Sequence, residues 1–409
     1  MKPRQIKHLD FWVGIPLVFL LTLWRYLILL FVSRRRDIKT HRKIIFIKLT
    51  EQGSTVLAYS ALKEAEDMVG KENIYFWAFA ENTPILEILN VFHEKNVFTI
   101  HNKGFITTSF EILKTLAAIK KEKIDTAIDL EFFSRSSAIL AYCCGAKTRV
   151  GYQRYHSEVI YRGDLMTHKL QYNPYHHAAL AYRLMVESLL CNHKIRPFPR
   201  IDINTIQILQ PIIEITRDDV AEIKKIIHSV SQEENISPII IINPNAGDSI
   251  PARKWDVSNF VDLSNKLSSH YKGKLTIVIT GSLEEATYCN ELCDKINFPG
   301  VINLAGKTNV RQLLALYSLA DVLVTNDSGP GQFASLTSIH NIVLFGPETP
   351  VLFGPPGKNT HIIESDLSCR PCVNPYNHRL PHCKSNTCMQ SISVETVYDK
   401  IIEVIPVYS

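Results

Sequence analysis

The chain has 409 residues, of which 46% are hydrophobic and 21% charged, and its net charge is +5. That is the composition of a folded globular protein of about two domains, and so mild a positive excess does not call for a nucleic-acid partner. Its nine cysteines, an odd number scattered through the chain, argue against a secreted disulfide scaffold and suit a reducing cytosol.

Much of the charge is local. Lys2, Arg4 and Lys7 precede an apolar run at residues 11–32, and Arg34, Arg35, Arg36, Lys39, Arg42 and Lys43 follow it. As a helix this run would reach roughly 33 Å, enough for a hydrocarbon core. Pro16 and Arg25 disturb it, since an arginine at that depth costs about 2.5 kcal/mol or more unless it snorkels. Residues 1–36 are therefore read as a membrane-associated segment, with both a single span and a re-entrant or interfacial helix open. No small-residue cleavage site follows, which argues against a cleaved signal peptide. A span would leave the body of the protein on the cytoplasmic side of the inner membrane, next to the heavier arginine cluster.

Beyond this segment, residues 43–49 (KIIFIKL) form a buried-strand pattern, residues 50–55 a glycine-containing turn and residues 56–69 an amphipathic helix. Alternation continues with strands at 74–79 and 126–130 and helices at 84–89, 110–121, 136–144 and 173–191. The proline-bearing stretch 192–211 reads as a connection. Then the pattern restarts, with strands at 239–243, 275–280, 301–304, 322–324 and 342–345. Helices are predicted between them, at 220–227, 259–267, 284–296, 310–319 and 332–338, and a last one at 394–404. Such alternation means parallel sheets covered on both faces, here in two Rossmann-like domains at 40–205 and 206–392. In such sheets ligands sit at the carboxyl ends of strands. The turn from Asn326 through Asp327, Ser328 and Gly329 to Gly331 is the leading candidate for an anion or sugar site.

Four segments, IKLTEQGSTVLAYSAL from Ile47, INPNAGDSIPARKWDVSNFVDL from Ile242, VINLAGKTNVRQLLALYSLADVLVTNDSGP from Val301 and VLFGPETP from Val343, together resemble glycosyltransferase family 9. That is the family of the lipopolysaccharide heptosyltransferases. The resemblance implies a GT-B fold, with an acceptor-side N-terminal domain and a nucleotide-sugar-binding C-terminal domain across a central cleft. It allows the last helix, within 393–409, to pack back on the N-terminal domain.

No D-x-D triplet occurs, so a metal-chelated diphosphate has no obvious ligands, and neither metal nor cofactor is expected. Arg253 and Lys254 are the cations suited to a departing diphosphate. Asn245, Gly247, Gly281, Asp327, Ser328 and Gly329 complete the expected donor site. Two departures stand out. In the family the first turn ends Gly-Asp, and that aspartate is the proposed base; here Gly53 is followed by Ser54. Glu51 in the same turn is the replacement considered for the base, or else a solvated turn residue, with Ser54 positioning. Gln332 stands where the family has histidine. Cys369, Cys372, Cys383 and Cys388, interleaved with His378 and His382, have spacing open to a structural zinc or to thiols.

The expected activity is metal-independent, inverting transfer of a heptose or related sugar. The donor would be a nucleotide-diphosphate sugar, ADP-heptose-like or other, and the acceptor a lipopolysaccharide-core or lipid-linked saccharide, with membrane lipids as further partners. A non-catalytic nucleotide-sugar-binding or assembly protein is the alternative, favoured by the missing aspartate.

Overall fold

The computed structural model describes residues 10–31, 40–155, 160–231, 238–247, 250–377, 379 and 383–405. The chain divides into two compact units, Met1–Leu209 and Gln210–Ser409. Each is built on a six-stranded parallel sheet.

In the first unit the strands are β1 (Ile44–Ile47), β2 (Ile74–Phe79), β3 (Val97–Ile100), β4 (Thr126–Asp129), β5 (Thr148–Tyr152) and β6 (His168–Leu170). Their spatial order is β3-β2-β1-β4-β5-β6. In the second unit β7 (Ile239–Asn243), β8 (Thr276–Ile279), β9 (Val301–Asn303), β10 (Val322–Asn326), β11 (His340–Phe345) and β12 (Thr360–Glu364) are ordered β12-β11-β10-β7-β8-β9. Both orders reverse direction once, between β1 and β4 and between β7 and β10. Such switch points leave a crevice at the carboxyl ends of the two strands.

The central strands read as continuous apolar runs because both faces are covered; all four residues of β1 and of β8 are buried. Four strands fall outside the sequence prediction. β3, β5, β6 and β12 are edge or near-edge strands with polar or partly exposed residues, so they lack that run. The turn predicted at 50–55 is shorter than expected, because a helix begins at Gln52 and, with a break at Ala58, continues to Val69. The helix predicted at 332–338 is instead Gly329–Ala334, and that predicted at 173–191 is Ala178–Glu187.

The apolar N-terminal helix, Asp10–Phe31 with a break at Val13, lies along the first unit. The Asp10 carboxylate accepts hydrogen bonds from the backbone N–H groups of Arg135 and Ser136 and from the Ser136 hydroxyl. Val18 is buried in the unit's core. The Thr22 hydroxyl accepts a hydrogen bond from the Asp164 N–H, and Arg25 pairs with the Asp164 carboxylate at 2.8 Å. Gly163 makes this approach possible: its φ is +71°, and a Cβ there would sit 2.7 Å from the Thr22 hydroxyl and 2.8 Å from the Val18 carbonyl. Arg25, the residue that disturbed the apolar run, is thus partnered by protein.

The closing helix, Val394–Val404, belongs to the second unit. It packs on the Val257–His270 helix, and Val397 and Ile401 are buried in that unit's core. The sequence reading allowed it to return to the first unit; its two buried residues satisfy its apolar stripe where it is. Cys369, Cys372, Cys383 and Cys388 form no disulfide, and no group of three or more His, Cys, Asp or Glu is set to hold a metal among the described residues. His378 and His382 lie outside those residues.

Candidate functional site

The switch point of each sheet carries a polar cluster. In the first unit the chain leaves β1 through Lys48, Leu49 and Thr50 and turns at Glu51, whose φ of 69° is rare for a residue with a side chain. That left-handed turn brings its carboxylate over the first helical turn, where the Ser54 hydroxyl donates to it at 2.9 Å. Beneath lies Lys48, buried, its ammonium 3.6 Å from the Glu51 carboxylate and 3.2 Å from that of Glu131. Glu131, just past β4, also accepts from the backbone N–H groups of Leu49 and Thr50 at 2.9 and 3.3 Å. It therefore clamps the turn, while the Glu51 side chain stays 43% exposed. Gly53 is buried within the helix start. Lys48 and Glu131 form this corner with Glu51, although the sequence reading gave Lys48 no role.

Asp129, at the end of β4, serves a different purpose. Fully enclosed, it pairs with Arg162 and accepts from the Ser137 hydroxyl at 3.0 Å. Burial pushes its carboxyl up to about 6, against the opposing pull of Arg162.

In the second unit, Asn326 at the end of β10 fixes the site's scaffold. Its side chain donates to the carbonyls of Pro244 and Asn245 at 2.9 and 3.3 Å and accepts from the Trp255 N–H at 3.1 Å. This holds the loop after β7 against β10, and with it the short turn Pro251–Arg253. Arg253 consequently points into carboxylates. Its Nε lies 3.2 Å from Asp327 Oδ2, its Nη1 donates to the Asp327 carbonyl at 3.3 Å, and its Nη2 pairs with Glu348. Arg379 closes the cluster, donating to both Glu348 oxygens at 2.8 and 3.0 Å.

Four charges so enclosed compete. Burial, with Glu348 adding repulsion and Arg253 opposing, pushes Asp327 up to about 7. Burial also acts on Glu348, but Arg253 and Arg379 outweigh it and hold that carboxyl below its ordinary value. The cluster consequently shifts toward net positive charge when Asp327 binds a proton. Arg253 Nε, Asp327 Oδ2 and Asn245 Oδ1 are buried without a well-aligned hydrogen-bond partner among the described residues.

The remaining expected residues are placed as follows. Asn245 is buried and donates to Cys289 Sγ at 3.4 Å; Gly281 lies against both, since a Cβ there would come within 2.8 and 2.9 Å of them. Gly247 has φ +65°, and among the described residues nothing lies within 4 Å of a Cβ placed there. Ser328 turns its hydroxyl to the Asn326 carbonyl at 3.0 Å, and Gly329 opens the helix Gly329–Ala334. Lys254 leaves the cluster and lies 4.9 Å over the Tyr288 ring. Gln332 is buried and donates to the Phe353 carbonyl at 2.7 Å, while its Oε1 is buried without a hydrogen-bond partner among the described residues. Glu348 and Arg379 were missed. Glu348 lay within the GPETP segment, but a carboxylate beside a phosphate-binding candidate has no sequence signal; Arg379 lies 31 residues away in the cysteine-rich stretch.

Two doubly wound sheets with polar clusters at their switch points place the chain in the GT-B class. Residues 112–381 match the model of glycosyltransferase family 9 (heptosyltransferase), and the chain belongs to that family. It is 26% identical over 171 residues to a lipooligosaccharide heptosyltransferase 2 of Campylobacter jejuni, covering 41% of this chain and 52% of that protein. It is 30% identical over 109 residues to the lipopolysaccharide heptosyltransferase 2 of Salmonella typhimurium, covering 26% and 30%. The chain thus spans about half the length of the first of these relatives and less of the second. The solved ADP-heptose lps heptosyltransferase II of E. coli shares the fold, with a TM-score of 0.67 at 18% identity over 88% of this chain and 98% of that one.

Proposed function

We propose that the protein is a membrane-associated, metal-independent, inverting glycosyltransferase. It moves a heptose or related sugar from a nucleotide-diphosphate donor to a lipopolysaccharide-core or lipid-linked saccharide at the cytoplasmic face of the inner membrane. The observation that carries the reading is the buried Arg253–Asp327–Glu348–Arg379 cluster at the second switch point, inside the segment that matches the family. Its two guanidinium groups offer the donor diphosphate the positive charge that a divalent cation supplies elsewhere.

Glu51 takes the proton of the acceptor hydroxyl, held toward it by Ser54 and Lys48. The freed oxygen attacks the anomeric carbon as the bond to the diphosphate breaks, and the bonding pair leaves on the diphosphate oxygen. One displacement inverts the anomeric centre. The N-terminal helix is read as lying in the membrane surface rather than crossing it. From Asp10 to Tyr26 it is bonded to the first unit over about 24 Å, so a perpendicular crossing would drag that unit into the bilayer.

A donor screen tests the reading: purified protein, several nucleotide-diphosphate sugars, and release of nucleoside diphosphate with and without lipid-linked core acceptors. Acceptor-dependent release with one donor is expected. Tight donor binding with no release would favour the non-catalytic alternative, for which Ser54 in place of aspartate is the supporting observation.

A further inference from the structure

One face of the first sheet carries three helices. Val18 of the N-terminal helix, Ile112 and Ile119 of the Phe105–Lys121 helix and Ala138 of the Arg135–Cys143 helix meet Ile45 and Trp77 in a single core cluster. Sides of these helices turned away from the sheet therefore point the same way. On the N-terminal helix that side is apolar, with Trp12, Leu20, Leu30 and Phe31 60% to 87% exposed.

The Phe105–Lys121 helix repeats the pattern without being hydrophobic enough to cross a membrane. Ile106, Phe110 and Leu113 are 82%, 69% and 65% exposed. At helical spacing they fall within an arc of about 60°. Exposed Lys114, Lys120 and Lys121 flank the stripe and its end. Glu111, the acidic residue of this helix, is occupied by the His101 N–H at 2.5 Å.

We propose that this stripe is a second membrane contact, so that the N-terminal helix and the Phe105–Lys121 helix together lay one face of the first unit on an anionic bilayer. Ile106, Phe110 and Leu113 enter the acyl boundary, and the lysines reach back to headgroup phosphates. A second copy of the chain fits less well, because a two-fold contact through this stripe would set its lysine flanks against each other. The inference rests on the membrane reading above.

The test uses the full chain with p-benzoylphenylalanine in place of Phe110 or, as control, of Asp67. Asp67 is exposed on the Tyr59–Val69 helix, which the right-handed β1-to-β2 crossover puts on the opposite face. Protein is floated with phosphatidylglycerol–phosphatidylethanolamine vesicles, and only the floated fraction is irradiated. Expected are lipid adducts at position 110 about ten-fold above those at 67, and a several-fold drop in adducts at 110 when Lys114, Lys120 and Lys121 are changed to Glu, with flotation retained. Equal adducts at the two positions, or chain–chain crosslinks at 110, overturn this inference and leave the membrane reading standing. Failure of the unmodified chain to float overturns both.

Discussion

Arg253 Nε and Asp327 Oδ2 lie 3.2 Å apart at the second switch point, close enough to pair but off the line of a hydrogen bond. Each is therefore both neutralised and incompletely satisfied. On the proposed reading a diphosphate arriving there would compete with the Asp327 carboxylate for the same guanidinium, so the charge state of Asp327 would set how strongly the cluster attracts it.

Donor binding should accordingly depend on pH. Asp327 is raised to about 7, so lowering the pH through neutrality adds its proton and leaves Arg253 and Arg379 facing one carboxylate instead of two. Nucleoside-diphosphate affinity measured by calorimetry should rise as pH falls from 8 toward 6, within the range where the nucleotide's own ionisation is corrected for. Asp327→Asn should bind tightly throughout and lose most of that dependence. A variant with the wild-type slope would assign the titration elsewhere.

Arg253→Ala should weaken nucleoside-diphosphate binding by about 1 to 3 kcal/mol, the worth of hydrogen bonds to a charged group. It should also lower the melting temperature, because Glu348 and Asp327 lose a buried counter-ion, a change typically costing about 3 to 5 kcal/mol. Arg253→Lys keeps the charge and separates the two effects: stability largely recovers, while the fork geometry for diphosphate does not. Equal donor affinity in wild type and both variants would move the phosphate site.

Asp129 contributes a pH dependence of its own, to stability rather than to binding. Its folded value of about 6 lies above the ordinary 3.8, so between those values the native state holds more protons than the unfolded one. Stability from this group is complete at low pH and is lost as pH rises through 6. Asp129→Asn should abolish a decline of the order of 3 kcal/mol across this window in urea titrations. The variant should be less stable than wild type at pH 7, where Arg162 has lost its charged partner.

Much of this architecture was legible in the sequence, for reasons visible in single elements. β1, β7 and β10 are covered on both faces, so Ile44, Ile241 and Val324 sit in uninterrupted apolar runs that announce buried parallel strands. β5 was not legible because its inward positions include Arg149, buried by donating to the Leu165 and Ala146 carbonyls. Arg253 and Asp327 could be named from their motifs. Their meeting with Glu348 and Arg379 depends on loops from distant strands, and periodicity does not encode that. Arg25 misled in the other direction: as a residue in an apolar helix it signals a membrane defect, and only the fold supplies Asp164 as its partner.

The Glu51–Ser54 pair carries the last prediction. Glu51 holds a left-handed backbone that costs about 1 to 3 kcal/mol for a residue with a side chain, strain of a kind that clusters at functional sites. Glu131 is spent on Lys48 and two backbone N–H groups, and Asp129 on Arg162. Of the carboxylates at this corner, Glu51 is the one with an exposed side chain. Glu51→Gln keeps size and hydrogen bonding but removes the proton acceptor, so transfer should fall about 10²-fold or more with donor affinity nearly unchanged. Ser54→Ala removes one hydrogen bond to the carboxylate and should cost about ten-fold or less. Ser54→Asp would place a second carboxylate where the family's first turn has one. If it raises the rate, that position still faces the reacting hydroxyl; if it lowers it, repulsion with Glu51 dominates and Glu51 alone is the base. Near-normal turnover in Glu51→Gln would remove Glu51 from the mechanism altogether.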